Sequence, residues 1–242
     1  MRIVLAGALA YPVIVLLLVK ATALGLLDAL FLAGLLELLP TLALGQMALA
    51  RDVVIERAPA YMNSGSAVLL LGILSLLMGR RLVGPLALGL EAPLSVANVL
   101  WTGALFLIGI CTLLVFRAVR RAMGTEETRL VHQLMPVTSK ERRLFAGLSL
   151  CAGFGEEMAY RGYALTALVL ATGSATLALI VTSATFGVLH AYQGPIGVVR
   201  TGVIGLIMGA VFLHTGSLWP PIVAHTLIDL VAGFVLSERL LS

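Results

Sequence analysis

The sequence predicts an all-α fold, a polytopic transmembrane helix bundle with about eight spans (seven to eight). Three observations predict it. Of the 242 residues, 60% are hydrophobic and 12% are charged. A soluble domain carries roughly 25% charged residues. The mean hydropathy is +1.06, and apolar runs long enough to cross a bilayer, about 20 residues, recur along the chain. Disordered, collagen-like and disulfide-scaffold classes are excluded. A nucleic-acid binder is excluded too, despite the pI of 9.4, because the basic excess lies in one place. Residues 117–143 hold seven basic and three acidic residues, and the rest of the chain holds nine of each. No aromatic residues are interleaved with those charges. The positive-inside rule makes 117–143 a cytoplasmic loop.

The elements follow in order. Residues 3–19 are the first apolar run, flanked by Arg2 and Lys20. Ala21-Thr22-Ala23 is shaped like a signal-peptidase site. Lys20 is poorly placed between such a core and its cleavage site, so the run reads as an uncleaved span. Residues 22–50 are a longer run broken by Asp28, Glu37 and Pro40, with a polar end from Arg51-Asp52 to Arg57. A third span covers 63–79 and ends at Arg80-Arg81. The stretch 82–93, with Pro85, Glu91 and Pro93, is short and reads as re-entrant or interfacial. A span at 94–116 leads into the basic loop. Beyond the loop, runs at 144–164, 174–191, 196–213 and 218–236 are separated by Gly and Pro, the usual breakers between helices. Simple alternation puts Arg80-Arg81 outside, in mild conflict with the charge rule. The division is residues 1–143, N-terminal helices with the basic loop, and residues 144–236, a catalytic core, within a single integral membrane domain. Cys111 and Cys151 both sit in apolar runs and read as small packing residues.

Ionisable residues inside spans are costly, about 2.5–3.5 kcal/mol each on a lenient insertion scale. They are functional candidates for that reason. The C-terminal half gathers them in three places: Glu156-Glu157 with Arg161, His190, and His225 with Asp229. On a helix Glu157 and Arg161 are i,i+4 and share a face. Glu156 points about 100° away from Glu157 and is left free of that pair. Two carboxylates with one arginine suggest unequal roles, one a charged scaffold and one an available base. His225 and Asp229 are also i,i+4 and can bond along one face. Glu, His and His from neighbouring helices can position and deprotonate a water and stabilise an oxyanion. They are equally a His-His-Glu set for zinc. His214, near a helix end, reads as interfacial or capping, and His132 as solvated. Asp28, Glu37, Glu91 and Arg200 could line a polar cavity, though nothing in their spacing requires it.

The ordered pattern Glu-Glu-x-x-x-Arg (Glu156, Glu157, Arg161), Phe-x-x-x-His (Phe186, His190) and His-x-x-x-Asn/Asp (His225, Asp229) resembles that of the CPBP intramembrane proteases. That group is named for CAAX prenyl proteases and bacteriocin-processing proteins and is also called Abi. The lead-in Gly216-Ser217-Leu218-Trp219-Pro220 is similar as well. The likeness covers about 144–236 and is of the type II CAAX prenyl endopeptidase kind, with bacteriocin or peptide-signal processing equally open. It implies an intramembrane endopeptidase acting on a membrane-associated protein or peptide in the cell membrane. By the resemblance, Glu156 is the general base, assisted by His190, and His225 with Asp229 stabilises the oxyanion. Glu157 and Arg161 hold the helix, with Arg161 near a substrate carboxylate. The prenyl-protease branch has Asn where this chain has Asp229. An ionised Asp cannot donate to an oxyanion, so Asp229 is protonated or orients His225. The same substitution favours a metal site, in which Glu156, His190 and His225 would ligate a divalent metal such as zinc. The expected partners are the lipid bilayer and a peptide substrate. From other classes, an ion- or proton-coupled transporter and an inactive scaffold of the same fold remain as alternatives. On straight helices at about 1.5 Å per residue, His190, His225 and Glu156 lie at different depths. They converge only if helices tilt or if 163–173 does not fully cross.

Overall fold

The computed structural model describes residues 2–49, 53–84 and 88–235. The polar end at Arg51-Asp52, Pro85 and the terminal position 236 of the expected core lie outside the described residues. Among those described there is no strand. The elements are α1 (Arg2–Ala21), α2 (Leu26–Ala33), α3 (Leu39–Leu49), α4 (Arg57–Val83), α5 (Val96–Ala122), α6 (Arg129–Leu134), α7 (Ser139–Glu157), α8 (Thr166–Thr172), α9 (Ala175–Leu189), α10 (Gly194–Thr215) and α11 (Trp219–Phe234). Two π-helical segments, Gly34–Leu38 and Met158–Leu165, join α2 to α3 and α7 to α8 without a break. Among the described residues five helices are long and apolar enough to cross a membrane: Ile3–Ala21, Leu26–Met47, Arg57–Val83, Val96–Ala122 and Ala191–Thr215. Ala175–Leu189 and Trp219–Phe234 are apolar but shorter.

Local chemistry sets the ends. α7 opens with a capping box in which the Thr138 hydroxyl accepts from the Glu141 N–H and the Glu141 carboxylate accepts from the Thr138 N–H. The Thr138 and Val137 N–H groups hold the Glu141 carboxyl below its ordinary range. Ser95 and Ser174 cap α5 and α9, as short side-chain acceptors do at exposed N–H groups. α8 and α10 stop at Gly173 and Gly216, at φ 68° and 65°, in the left-handed conformation that glycine adopts at little cost.

Three expectations change. Residues 63–79 are the middle of a longer helix, α4, of 27 residues. Its charged ends, Arg57 and Arg80-Arg81, extend it past the apolar stretch, as long basic side chains do near an interface. Of the expected short apolar segment 82–93, residues 82–83 end α4 and residues 88–93 are not helical. There the Gly89 carbonyl accepts from Leu218 N–H and the Leu90 carbonyl from Trp219 Nε1, both at 2.8 Å, fixing the start of α11. Cys111 is exposed on α5 rather than packed inside.

Close helix contacts rest on small residues, as expected where apolar solvent gives no drive for association. α4 packs on α7 where Gly72 meets Gly155, and a Cβ on Gly72 would stand 2.6 Å from the Gly155 Cα. α10 packs on α9 at Gly187, where an added Cβ would meet the Val198 carbonyl at 2.6 Å. Gly153 on α7 faces Ile222 and Thr226 of α11. These contacts set α7, α9, α10 and α11 around a shared interior containing Met158, Tyr160, Tyr163 and Phe186, all buried.

Candidate functional site

Three elements bring the ionisable groups together. α7 ends on Glu156-Glu157 and passes into the wider π turn, whose residues Met158–Leu165 are all buried. Tyr160 and Tyr163 anchor that turn to the N-terminal helices. Their hydroxyls donate to the Leu35 carbonyl at 2.9 Å and the Asp28 carbonyl at 3.1 Å. Asp28 itself pairs with Arg81. That pair neutralises one of the two arginines that conflicted with the charge rule.

Glu157 is the most deeply held group, with a side chain 0% exposed. Its Oε1 accepts from Arg161 Nη1 at 2.7 Å and from His225 Nδ1 at 2.8 Å. Arg161 also donates to the Gly205 carbonyl at 3.3 Å and lies 4.4 Å over the Phe186 ring. Together the Glu157 and Arg161 contacts tie α7, α9, α10 and α11 to one point. The expected Glu157–Arg161 pair is present. Its link to His225 was not legible, because the two residues are 68 positions apart.

Glu156 points elsewhere. Its Oε2 is buried with no hydrogen-bond partner in the protein among the described residues. It lies 3.9 Å from His190 Nε2 and 3.8 Å from His225 Nε2. Both imidazoles are oriented from behind. His190 Nδ1 is 2.8 Å from the Phe186 carbonyl, which can only accept, so Nδ1 carries the proton and Nε2 offers a lone pair. His225 Nδ1 donates to the Glu157 carboxylate, which leaves its Nε2 facing Glu156. Asp229 Oδ2 lies 3.7 Å from His225 Nε2, too long for a hydrogen bond. The orientation of His225 thus comes from Glu157, not from the i,i+4 bond expected of Asp229.

The structure therefore brings Glu156, Glu157, Arg161, His190, His225 and Asp229 into one cluster. It does so with 163–172 helical, apart from the left-handed stop at Gly173. Part of the reason is that α9 has 15 residues, about 22 Å at 1.5 Å per residue. A bilayer core is about 30 Å thick, so α9 delivers His190 short of a full crossing. The other candidates stay apart. His132 is exposed. His214 stacks edge-on with Trp101 at 5.4 Å beside a cavity of ≈ 430 Å³ that also contains Glu91. Glu37 accepts from Thr41 at 2.9 Å.

Chemically, Glu156 Oε2 and His190 Nε2 are two acceptors 3.9 Å apart. That exceeds a direct hydrogen bond and suits one water donating to both over about 2.8 Å. Glu156, His190 and His225 are also the donor set that a zinc ion takes. As they stand, no group of three or more His, Cys, Asp or Glu side chains among the described residues is arranged to hold a metal ion.

Residues missed by sequence reasoning surround His190. Tyr192 lies with its ring 5.9 Å from the imidazole. Behind it, Thr128, Gln193, Glu127 and Arg200 form a polar network. Arg200 and the acids of the basic loop were visible as charges, but nothing in their spacing joined them.

Comparison with curated proteins and with solved structures gives no match. A family model gives one, over a segment that contains all six clustered residues. Residues 139–231 match the family described as type II CAAX prenyl endopeptidase Rce1-like, the protease family that the three motifs resemble.

Proposed function

We propose that the chain is an intramembrane endopeptidase, hydrolysing a peptide bond of a membrane-associated protein or peptide. The observation that carries this reading is the pairing of Glu156 Oε2 with His190 Nε2 at 3.9 Å, each free on the facing side and each oriented by its own helix. A water held between them loses a proton to Glu156 as its oxygen attacks the carbonyl carbon. The carbonyl π electrons move to oxygen. Glu156 then delivers the proton to the leaving amide nitrogen as the C–N bond breaks, the acid–base use of one group in two steps. His225, braced by Glu157, stands 3.8 Å from Glu156 on the other side. As an imidazolium it presents Nε2–H to the developing oxyanion, with Asp229 balancing its charge. Such a chain sits in the plasma membrane with loop 117–143 on the cytoplasmic side.

The test is cleavage of a membrane-anchored peptide by purified protein in proteoliposomes. Glu156→Ala, His190→Ala and His225→Ala should each lower the rate by about 10²–10⁴ at normal expression. Full activity in Glu156→Ala would sink the proposal. A chelator arm distinguishes two uses of the same atoms: inhibition reversed by zinc assigns the three side chains as ligands.

A further inference from the structure

His190 is the residue after the last turn of α9, and the chain reverses at once through the 3-10 turn Ala191–Gln193. A C-terminal residue followed by a tight turn has little helix to hold it. The Phe186 carbonyl fixes the ring's tilt, but the position of the backbone depends on what holds the turn.

That support comes from the far end of the basic loop. Thr128 Oγ1 donates to the Tyr192 carbonyl at 2.6 Å. Gln193 Oε1 accepts from Arg200 Nη2 at 2.9 Å and from the Thr201 hydroxyl at 3.2 Å. Arg200 Nη1 lies 3.0 Å from Glu127 Oε1, and Arg120 Nη1 lies 3.0 Å from Glu127 Oε2. Arg120 also donates to the Glu126 carbonyl at 2.8 Å. The Glu127 side chain is 3% exposed, and those of Arg120 and Arg200 are 7% and 10%. One carboxylate thus takes an arginine on each oxygen and joins the end of α5, the 123–128 segment and the start of α10 behind the His190 turn. Buried ion pairs of this kind give little net stability. They do constrain geometry here, because Glu127 Oε1 accepts from Arg200 Nη1 while Oε2 faces Arg120 Nη1 as an ion contact without a hydrogen bond.

From this arrangement we propose that Glu127 is a positioning residue for His190. It acts through Arg200–Gln193 and, by way of the adjoining Thr128, through the Tyr192 carbonyl. This rests on the peptidase reading above. The latch sets the distance from Nε2 to Glu156, and so the fit of the water between them. A misplacement of about 1 Å by a remote group can cost about 10²-fold in rate.

The experiment compares wild type with Glu127→Gln and Thr128→Val, each as the full chain in detergent or liposomes. Thr128→Val removes the bond to the Tyr192 carbonyl and the N-cap bond from Val131 N–H but no charge, so it answers the question if Glu127→Gln folds poorly. Two readouts are taken. In kinetics, Glu127→Gln should lower kcat by about 10–10²-fold with KM nearly unchanged, Thr128→Val should do so more weakly, and Glu127→Asp should recover part of the loss. In ¹⁵N-histidine NMR, the His190 signals should shift or broaden in both variants while those of His132 and His214 stay in place. An unmoved His190 signal in folded Thr128→Val with wild-type kcat would overturn the latch. The NMR readout needs no substrate. Inactivity of the wild type toward every peptide tried would therefore count against the peptidase reading, while a moved His190 signal would still uphold the latch.

Discussion

Glu156 and Glu157 are adjacent in sequence and opposite in situation. Glu157 is 0% exposed and accepts from two donors, Arg161 and His225, on a single oxygen. Among the described residues neither Oε2 has a hydrogen-bond partner, but Glu156 makes no hydrogen bond through its other oxygen either and faces the two imidazoles at 3.9 and 3.8 Å. The two should therefore fail differently. Glu157→Gln leaves the Arg161 guanidinium buried without its counter-charge, which costs about 3–5 kcal/mol. Glu156→Gln removes a charge that the fold does not use, so stability should hold or rise while activity is lost. Thermal unfolding in detergent checks this: a large fall in midpoint for Glu157→Gln only is the expected result, and equal falls would count against it. Much of this contrast was legible beforehand, because i,i+4 spacing pairs Glu157 with Arg161 and excludes Glu156. The brace on His225 was not. Sequence offered Asp229, four residues away on the same helix, and the structure uses Glu157 from another helix.

The π segment Met158–Leu165 and the glycine seam beside it decide where Glu156 points. Neither is written as a periodicity. A π turn inserts an extra residue into an otherwise helical run, and a hydrophobic sequence reads the same with or without it. Glycines scattered through α4 and α7 likewise show their purpose only once the helices meet. The seam carries a prediction. A Cβ at Gly72 would press on the Gly155 Cα at 2.6 Å and on the Phe154 ring at 3.1 Å. Backbone cannot yield as a side-chain tip can. Gly72→Ala should therefore push α4 off α7, cost about 1–3 kcal/mol and lower activity through the residue next to Gly155, which is Glu156. Gly147, on the same α7, has nothing within 4 Å of an added Cβ. Gly147→Ala should be neutral or stabilising by about 0.5–1 kcal/mol. Parallel denaturation curves check the pair, and equal effects at both positions would show that the close approach does not matter.

Polar ties at the two ends of the bundle define its poles. At one, Arg57 Nε donates to the Gln133 carbonyl at 2.7 Å, Tyr61 to the Leu134 carbonyl at 2.8 Å, and Thr128 to the Tyr192 carbonyl. At the other, Arg81 meets Asp28, and the 88–90 segment meets the start of α11. The basic loop and the His190 turn thus share a pole, while Glu91 and Ser217 lie at the opposite one. The charge rule then assigns sides. On the proposed orientation, the loop's four excess positive charges would hold that pole in the cytoplasm. At the other pole, Arg81 adds little charge because Asp28 answers it. The expected outcome is specific. In a chain with Cys111 and Cys151 replaced by alanine, an impermeant maleimide added to intact cells should label Glu91→Cys and leave Thr138→Cys unlabelled until the cells are opened. The reverse pattern would invert the molecule and, with it, the side from which substrate reaches His190. With the loop inside, the turn bearing His190 is approached from the cytoplasmic half of the bilayer. A peptide anchored on that leaflet should then be cleaved in preference to the same peptide anchored on the other.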